Sequence, residues 1–169
     1  MPAPAHWRIE SVDAANLYQA AEIHAVSWRA SHADLCTPDF IAAHTTERQR
    51  EYLRKKLETG SRIFLLTDEI PVGLVAVTGN VIEDLYILPD RQGRGCGTAL
   101  LRFAIQQCAG MPTMWVLETN QRAARLYERE GFRLKIRSCS RRSKNYSSTS
   151  IGRPNKLPIV SNSKITRFR

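Results

Sequence analysis

The apolar positions of this chain change their period partway along it. From Asp13 to about His32 they recur at helical spacing, with Leu17, Ala20, Ala21, His24 and Trp28 on one stripe. "TPDFIAAH" then offers Thr37 as a cap and Pro38 at the first helical position, where the absent N–H does no harm. "TTERQREYLRKKLETG" predicts a charged amphipathic helix with Tyr52, Leu53 and Leu57 inward, closed by Gly60. Beyond it the pattern becomes that of strands. "RIFLLTD" and "VGLVAVTG" predict an antiparallel hairpin joined at "DEIP", "NVIEDLYIL" predicts a third strand, and "HWRIES" adds a short leading one. Helices and strands then alternate: Thr98 to Cys108 with Leu101, Ala104, Ile105 and Cys108 on one face, "TMWVLET", "NQRAARLYERE" between Asn120 and Gly131, and "FRLKIR". This order predicts a mixed α/β sheet, antiparallel early and parallel where helices intervene.

From Ser138 onward the periodicity fades, which divides the chain into a folded domain, residues 1–137, and a polar segment, residues 138–169. The segment "SCSRRSKNYSSTSIGRPNK" favours loop or disorder, while "LPIV" and "SKITRF" are short apolar pieces either of which could supply a late final strand. Charge sharpens this division. The net charge is +9, yet residues 138–169 hold eight Lys and Arg and no acid, leaving 17 basic against 16 acidic residues in the body. Such a tail suits polyanions such as nucleic acid or the ribosome. With Tyr146 and Phe168 as its aromatics and no folded binding motif, sequence-specific recognition is not expected. No apolar stretch approaches the ~18 residues of a membrane span, and "MPAPAHWRIE" lacks the layout of a secretory signal, so a cytoplasmic protein with no membrane partner is expected. Cys36, Cys96, Cys108 and Cys139 form no CxxC pair, and the four histidines are scattered, so free thiols and no metal are expected.

The chemistry concentrates in "IEDLYILPDRQGRGCGTALL", residues 82–101. A strand-to-helix turn presents unpaired N–H groups and the positive end of the helix dipole, and Gly93, Gly95 and Gly97 leave no Cβ to keep a phosphate away. The spacing GxGxG matches neither a Walker loop nor the dinucleotide fingerprint GxGxxG. Upstream, Glu83 is an acid within an apolar strand, unusual unless it is paired or points into a cleft. Strand alternation places Asp84 on the opposite side, so one acid at most is expected in a given cleft. His24, Trp28 and His32 share one helix face, which fits a packed stripe or a pocket wall.

Gln92-Gly93-Arg94-Gly95-Cys96-Gly97 resembles the pyrophosphate loop [QR]xxGx[GA] of the GCN5-related N-acetyltransferase (GNAT) family, and "NQRAARLYEREGF" is similar to that family's second landmark, N-x6-[YF]-E-x3-GF. The resemblance spans roughly residues 7–137. It implies an α+β fold with a mixed, mostly antiparallel central sheet flanked by helices and splayed between its fourth and fifth strands. It also implies direct transfer of the acetyl group of acetyl-CoA to a primary amine, either a small molecule or a protein amino group. The main chain of Gln92, Gly93, Arg94, Gly95, Cys96 and Gly97 would hold the diphosphate, Leu85, Tyr86 and Ile87 the pantetheine arm, and Asn120 would contact the coenzyme or cap its helix. Tyr127 would protonate the departing sulfur. Glu83 would deprotonate the amine, with Glu118 as a fallback acid. The family's closing pair of strands has no evident counterpart after "GFRLKIR", which leaves acceptor recognition open; a homodimer also stays open. Two rival readings are an acyl-CoA sensor without turnover and a ribosome- or nucleic-acid-associated protein acting through the basic tail.

Overall fold

Continuous apolar runs in residues 63–66 and 74–77 require cover on both faces of a sheet, and they receive it. The computed structural model describes residues 6–117, 119–135 and 162–167. Its elements are β1 (Arg8–Ser11), α1 (Leu17–His32), α2 (Pro38–Ala42), α3 (Thr46–Glu58), β2 (Arg62–Asp68), β3 (Ile70–Thr78), β4 (Val81–Ile87), α4 (Cys96–Gln107), β5 (Thr113–Leu117), α5 (Gln121–Arg129), β6 (Phe132–Lys135) and β7 (Asn162–Arg167). The strands form one sheet in the order β1-β2-β3-β4-β5-β7-β6. It is antiparallel throughout except where β4 runs parallel to β5 across the α4 crossover.

Strand alternation divides the core in two. Phe64, Leu66, Val75 and Val77 point to one face and meet Leu100, Leu101 and Ala104 of α4. Ile63, Leu65, Leu74 and Ala76 point to the other and meet Ala20, Ala21 and Ile23 of α1 and Leu53 of α3. Each fully buried Leu or Ile contributes about 2 kcal/mol, which fixes both helix layers onto the sheet. Gly73 allows β3 to approach β4 closely, since a Cβ there would lie 2.4 Å from Ile87 Cδ1 and 3.0 Å from the Tyr86 carbonyl oxygen.

Four details differ from the sequence pattern. Asp13–Asn16 form a turn, with Asn16 Oδ1 accepting from the Asp13 N–H at 2.9 Å and Asp13 Oδ1 from the Ala15 N–H at 2.8 Å, so α1 begins only at Leu17. α4 begins at Cys96, two residues before Thr98, because Gly95 supplies the left-handed N-cap. Tyr52 is not a core residue: it is 38% exposed and leans over a cleft rather than beneath α3. Finally, β5 and β6 are not paired across α5, because β7 lies between them and is antiparallel to both. This strand comes from the "SKITRF" region of the basic segment, whereas "LPIV" lies outside the described residues.

β4 carries the feature that shapes the site. It pairs with β5 through Val81↔Thr113 and Ile82↔Met114 alone, and the two strands then part. On its other edge the register with β3 slips, with Ala76 opposite Glu83 but Leu74 opposite Tyr86, so β4 holds one extra residue. Asp84 sits in this bulge at φ +49°, a region that residues other than glycine seldom adopt.

Candidate active site

The parting of β4 from β5 opens a cleft of about 700 Å³ that runs from the glycine turn past Tyr127 to the acids of β4. At its first end the chain leaves β4 through a 3₁₀ turn, Pro89–Arg91, and then makes two left-handed steps, Gly93 at φ +81° and Gly95 at φ +91°. The first helical bond across this boundary runs from Ala99 N–H to the Gly95 carbonyl, so the amides of Cys96, Gly97 and Thr98 precede the i→i−4 ladder. Gly97 lies within α4 and needs no unusual φ; its bare Cα faces Leu126 and Ile87. The Cys96 side chain is buried in the core, where desolvation pushes its thiol pKa up, so it can offer the cleft only main chain. Arg94 is exposed and does not line the cleft, whereas Gln92, Gly93, Gly95 and Gly97 do.

Arg122 is the residue at this end that sequence reasoning missed. From the first turn of α5 its Nη1 donates to Gln92 Oε1 at 3.1 Å, and Nη2 lies 3.1 Å from where a Cβ on Gly93 would stand. A guanidinium is thus placed over the bare loop, a fitting partner for a diphosphate. The available signal was its position two residues after Asn120 on a helix already assigned to the site.

Along the middle of the cleft, hydrogen bonding decides which part of β4 is available. Leu88 N–H donates to the Val72 carbonyl at 2.9 Å, so pleat alternation commits Tyr86 to β3 and turns the Ile87 N–H and C=O toward the gap. The Ile87 carbonyl accepts from Gln92 Nε2 at 3.1 Å. Leu85, Tyr86 and Ile87 all line the cleft, yet the main chain of Tyr86 faces the wrong way for an added strand. Tyr127, 7% exposed, stands across from them. Burial pushes its phenol pKa up, which keeps it a proton donor at neutral pH. Asn120 also lines the cleft, and its Oδ1 caps α5 by accepting from the Ala123 N–H at 3.1 Å.

At the far end, the expectation of one acid per cleft is overturned. The bulge at Asp84 breaks the two-residue alternation, and Glu83 and Asp84 converge on a single ammonium: Lys56 Nζ lies 2.5 Å from Glu83 Oε2 and 3.0 Å from Asp84 Oδ2. Thr78 Oγ1 donates to Glu83 Oε2 at 3.0 Å, Tyr52 Oη donates to Asp84 Oδ2 at 3.0 Å, and His24 Nε2 lies 3.3 Å from Asp84 Oδ1. Burial alone would raise the Asp84 pKa, but His24 and Lys56 outweigh it and hold the carboxyl below its ordinary value. Burial likewise opposes the Lys56 ammonium, and the two carboxylates overcome it and raise its pKa. Tyr52 is pushed up by burial and then by the Asp84 charge. Of the α1 stripe, His24 is buried beside this cluster, while Trp28 and His32 line the cleft, stacked in parallel with ring centroids 4.0 Å apart. His44 stacks on Trp28 as well, at 3.5 Å. Glu118 lies outside the described residues. Among the described residues no group of three or more His, Cys, Asp and Glu could hold a metal ion, and no helix is long and apolar enough to cross a membrane.

A parted parallel strand pair, a bulged β4 and a glycine turn leading into α4 define the class of acyltransferases that bind coenzyme A in a split sheet. Residues 59–134 match the family model for the Acetyltransferase (GNAT) domain. The chain is 32% identical over 103 residues to the peptidyl-lysine N-acetyltransferase YjaB of Salmonella typhimurium, a match covering 60% of this chain and 70% of that one. The solution structure of apo-form YjaB from Escherichia coli superposes with a TM-score of 0.62 at 20% identity, covering 95% of this chain and 97% of the other. The PaiA N-acetyltransferase of Thermoplasma acidophilum in complex with coenzyme A gives a TM-score of 0.67 at 14% identity, covering 95% and 98%. This chain belongs to the GNAT acetyltransferase family. It is an N-acetyltransferase that uses acetyl-CoA.

Proposed function

We propose that the acceptor is a lysine side chain of a protein, and that transfer is direct, with both substrates bound together in the cleft. The observation that carries this reading is the gap between β4 and β5. One continuous cleft has bare glycine main chain at one end, the Tyr127 phenol in the middle and a paired-carboxylate cluster at the other. The lysine acceptor is supported by the activity for which the Salmonella relative is named. Acetyl-CoA, when bound, supplies the acetyl group as an activated thioester.

The chain's own residues divide the remaining work. The amides from Gln92 to Gly97, with Arg122 above them, would hold the diphosphate; the fit rests on the two left-handed glycines and on the guanidinium over Gly93. Ile87 N–H, facing the gap, is the donor for a developing oxyanion. Tyr127 would hold a proton at Oη for the departing thiolate. Glu83 takes the proton that the acceptor ammonium must lose before its nitrogen can attack, and Asp84 keeps that corner of the cleft negative.

The experiment is thiol release from acetyl-CoA against lysine peptides, peptide N-termini, polyamines and aminoglycosides. Lysine peptides should give the highest kcat/KM, and a faster polyamine or aminoglycoside would remove the protein acceptor. With the preferred amine, Tyr127→Phe should lower kcat by roughly 100-fold and leave acetyl-CoA affinity in place. Glu83→Gln should lower the rate at neutral pH, and an unaltered pH–rate profile would assign the base elsewhere.

A further inference from the structure

Lys56 is unlike its neighbours on α3. Arg54 and Lys55 pair with Glu51 at helical spacing on the exposed face, a kind of contact that contributes little. Lys56 instead turns into the cleft, with a side chain 15% exposed, and reaches 27 positions along the chain to Glu83. Its ammonium meets two carboxylates and lies 5.3 Å from the centroid of the Tyr52 ring. Two anions and an aromatic face are what a primary ammonium needs when it leaves water. The surroundings would persist without it. Glu83 keeps the Thr78 hydroxyl, and Asp84 keeps the Tyr52 hydroxyl and His24 Nε2. His24 is 3% exposed, and its Nδ1 has no hydrogen-bond partner among the described residues, so the ring keeps its Nε2 for Asp84.

We propose that Lys56 is an internal pseudo-acceptor: its ammonium occupies the amine subsite of the free enzyme, and the substrate's amine displaces it. This rests on the amine-acceptor reading above. The flexible four-carbon stem of lysine can swing out through the open side of the cleft, whereas the carboxylates stand on the rigid sheet. The Glu83–Asp84 pair is therefore a recognition element for a primary ammonium on an unbranched alkyl chain, and Lys56 sets how strongly an acceptor must bind to enter.

The test uses the full chain. In Lys56→Ala, ethylammonium chloride should raise the melting temperature well beyond an equal concentration of potassium chloride, while the wild type responds to both alike. Should Lys56→Ala fail to fold in potassium chloride, its refolding yield in ethylammonium is the same readout. In Lys56→Met, which keeps the stem without the charge, KM for a lysine peptide should fall about tenfold, the scale of one partly buried ion pair. Lys56→Arg should retain the wild-type KM. Equal responses to the two salts, or a KM that rises in Lys56→Met, would overturn the proposal. The melting readout requires no acetyl transfer. A wild type that turns over no amine would thus defeat the proposed function and leave the subsite to be decided by melting alone.

Discussion

The glycine end of the cleft is built from main chain and the carboxylate end from side chains. Gly93 and Gly95 expose amides within one short turn, and the nearest helper, Arg122, enters from the adjoining helix. At the other end the groups come from α1, α3, β3 and β4, gathered on Glu83 and Asp84. An anion that every member of such a family must bind can be held by a local backbone shape. A particular acceptor requires a set of charges that only the assembled fold brings together.

Gly95→Asp should have the largest effect. It places an L-residue at φ +91° and a negative charge beside the proposed diphosphate site. Hydrogen bonds to charged groups contribute roughly 1.5–3 kcal/mol each, so acetyl-CoA affinity should fall by about 100-fold or more by calorimetry. The fold should persist by circular dichroism, because the new Cβ meets nothing nearer than Trp7 at 3.5 Å. Unchanged affinity would mean that the glycine turn is not the diphosphate site.

Asp84→Asn tests the opposite end, through stability rather than cofactor binding. Removing one partner of a buried ion pair costs about 3 kcal/mol, to be read from urea unfolding, with acetyl-CoA affinity intact. The acid dependence has a definite sign. The folded pKa of Asp84 is depressed because His24 and Lys56 outweigh its burial, so its contribution is complete above the ordinary carboxylate value of about 4 and is lost as pH falls through the folded value. The Asn variant should lack that part of the acid-side decline, and a variant whose decline matches the wild type would show that the cluster stores no such energy. The smallest effect is that of Asn120→Ala. Loss of the cap should cost about 1 kcal/mol, and a coenzyme affinity lowered beyond what that accounts for would assign Asn120 to the ligand as well.

How much could be read in advance follows the same line. The hairpin of β2 and β3, the crossover through α4 and the cap at Asn120 were legible because each depends on neighbours within a few residues. The glycine turn was legible for the same reason. Arg122 and Lys56 were not. Each sits on a helix whose polar face looks uniformly solvated in the sequence, and what distinguishes them is a partner 30 or 27 positions away. The placement of Asp84 was misjudged because alternation assumes a regular strand, and the bulge that rotates it toward Lys56 is visible only against the register of β3. β7 was legible only as one of two candidate pieces, because its six residues carry too little apolar pattern to mark a strand alone; pairing with β5 and β6 on either side supplies what the pattern lacks.

By itself the sequence determined the helices and strands up to β6 and the glycine turn, since period, capping and glycine placement act over one or two turns of chain. Tertiary structure alone decided where β4 leaves β5, which side Asp84 faces and which ammonium stands between the acids. Those outcomes depend on register and on charge pairing across elements distant in sequence, and Coulomb attraction between two side chains takes effect only once folding has brought them within a few ångströms in a partly dry site.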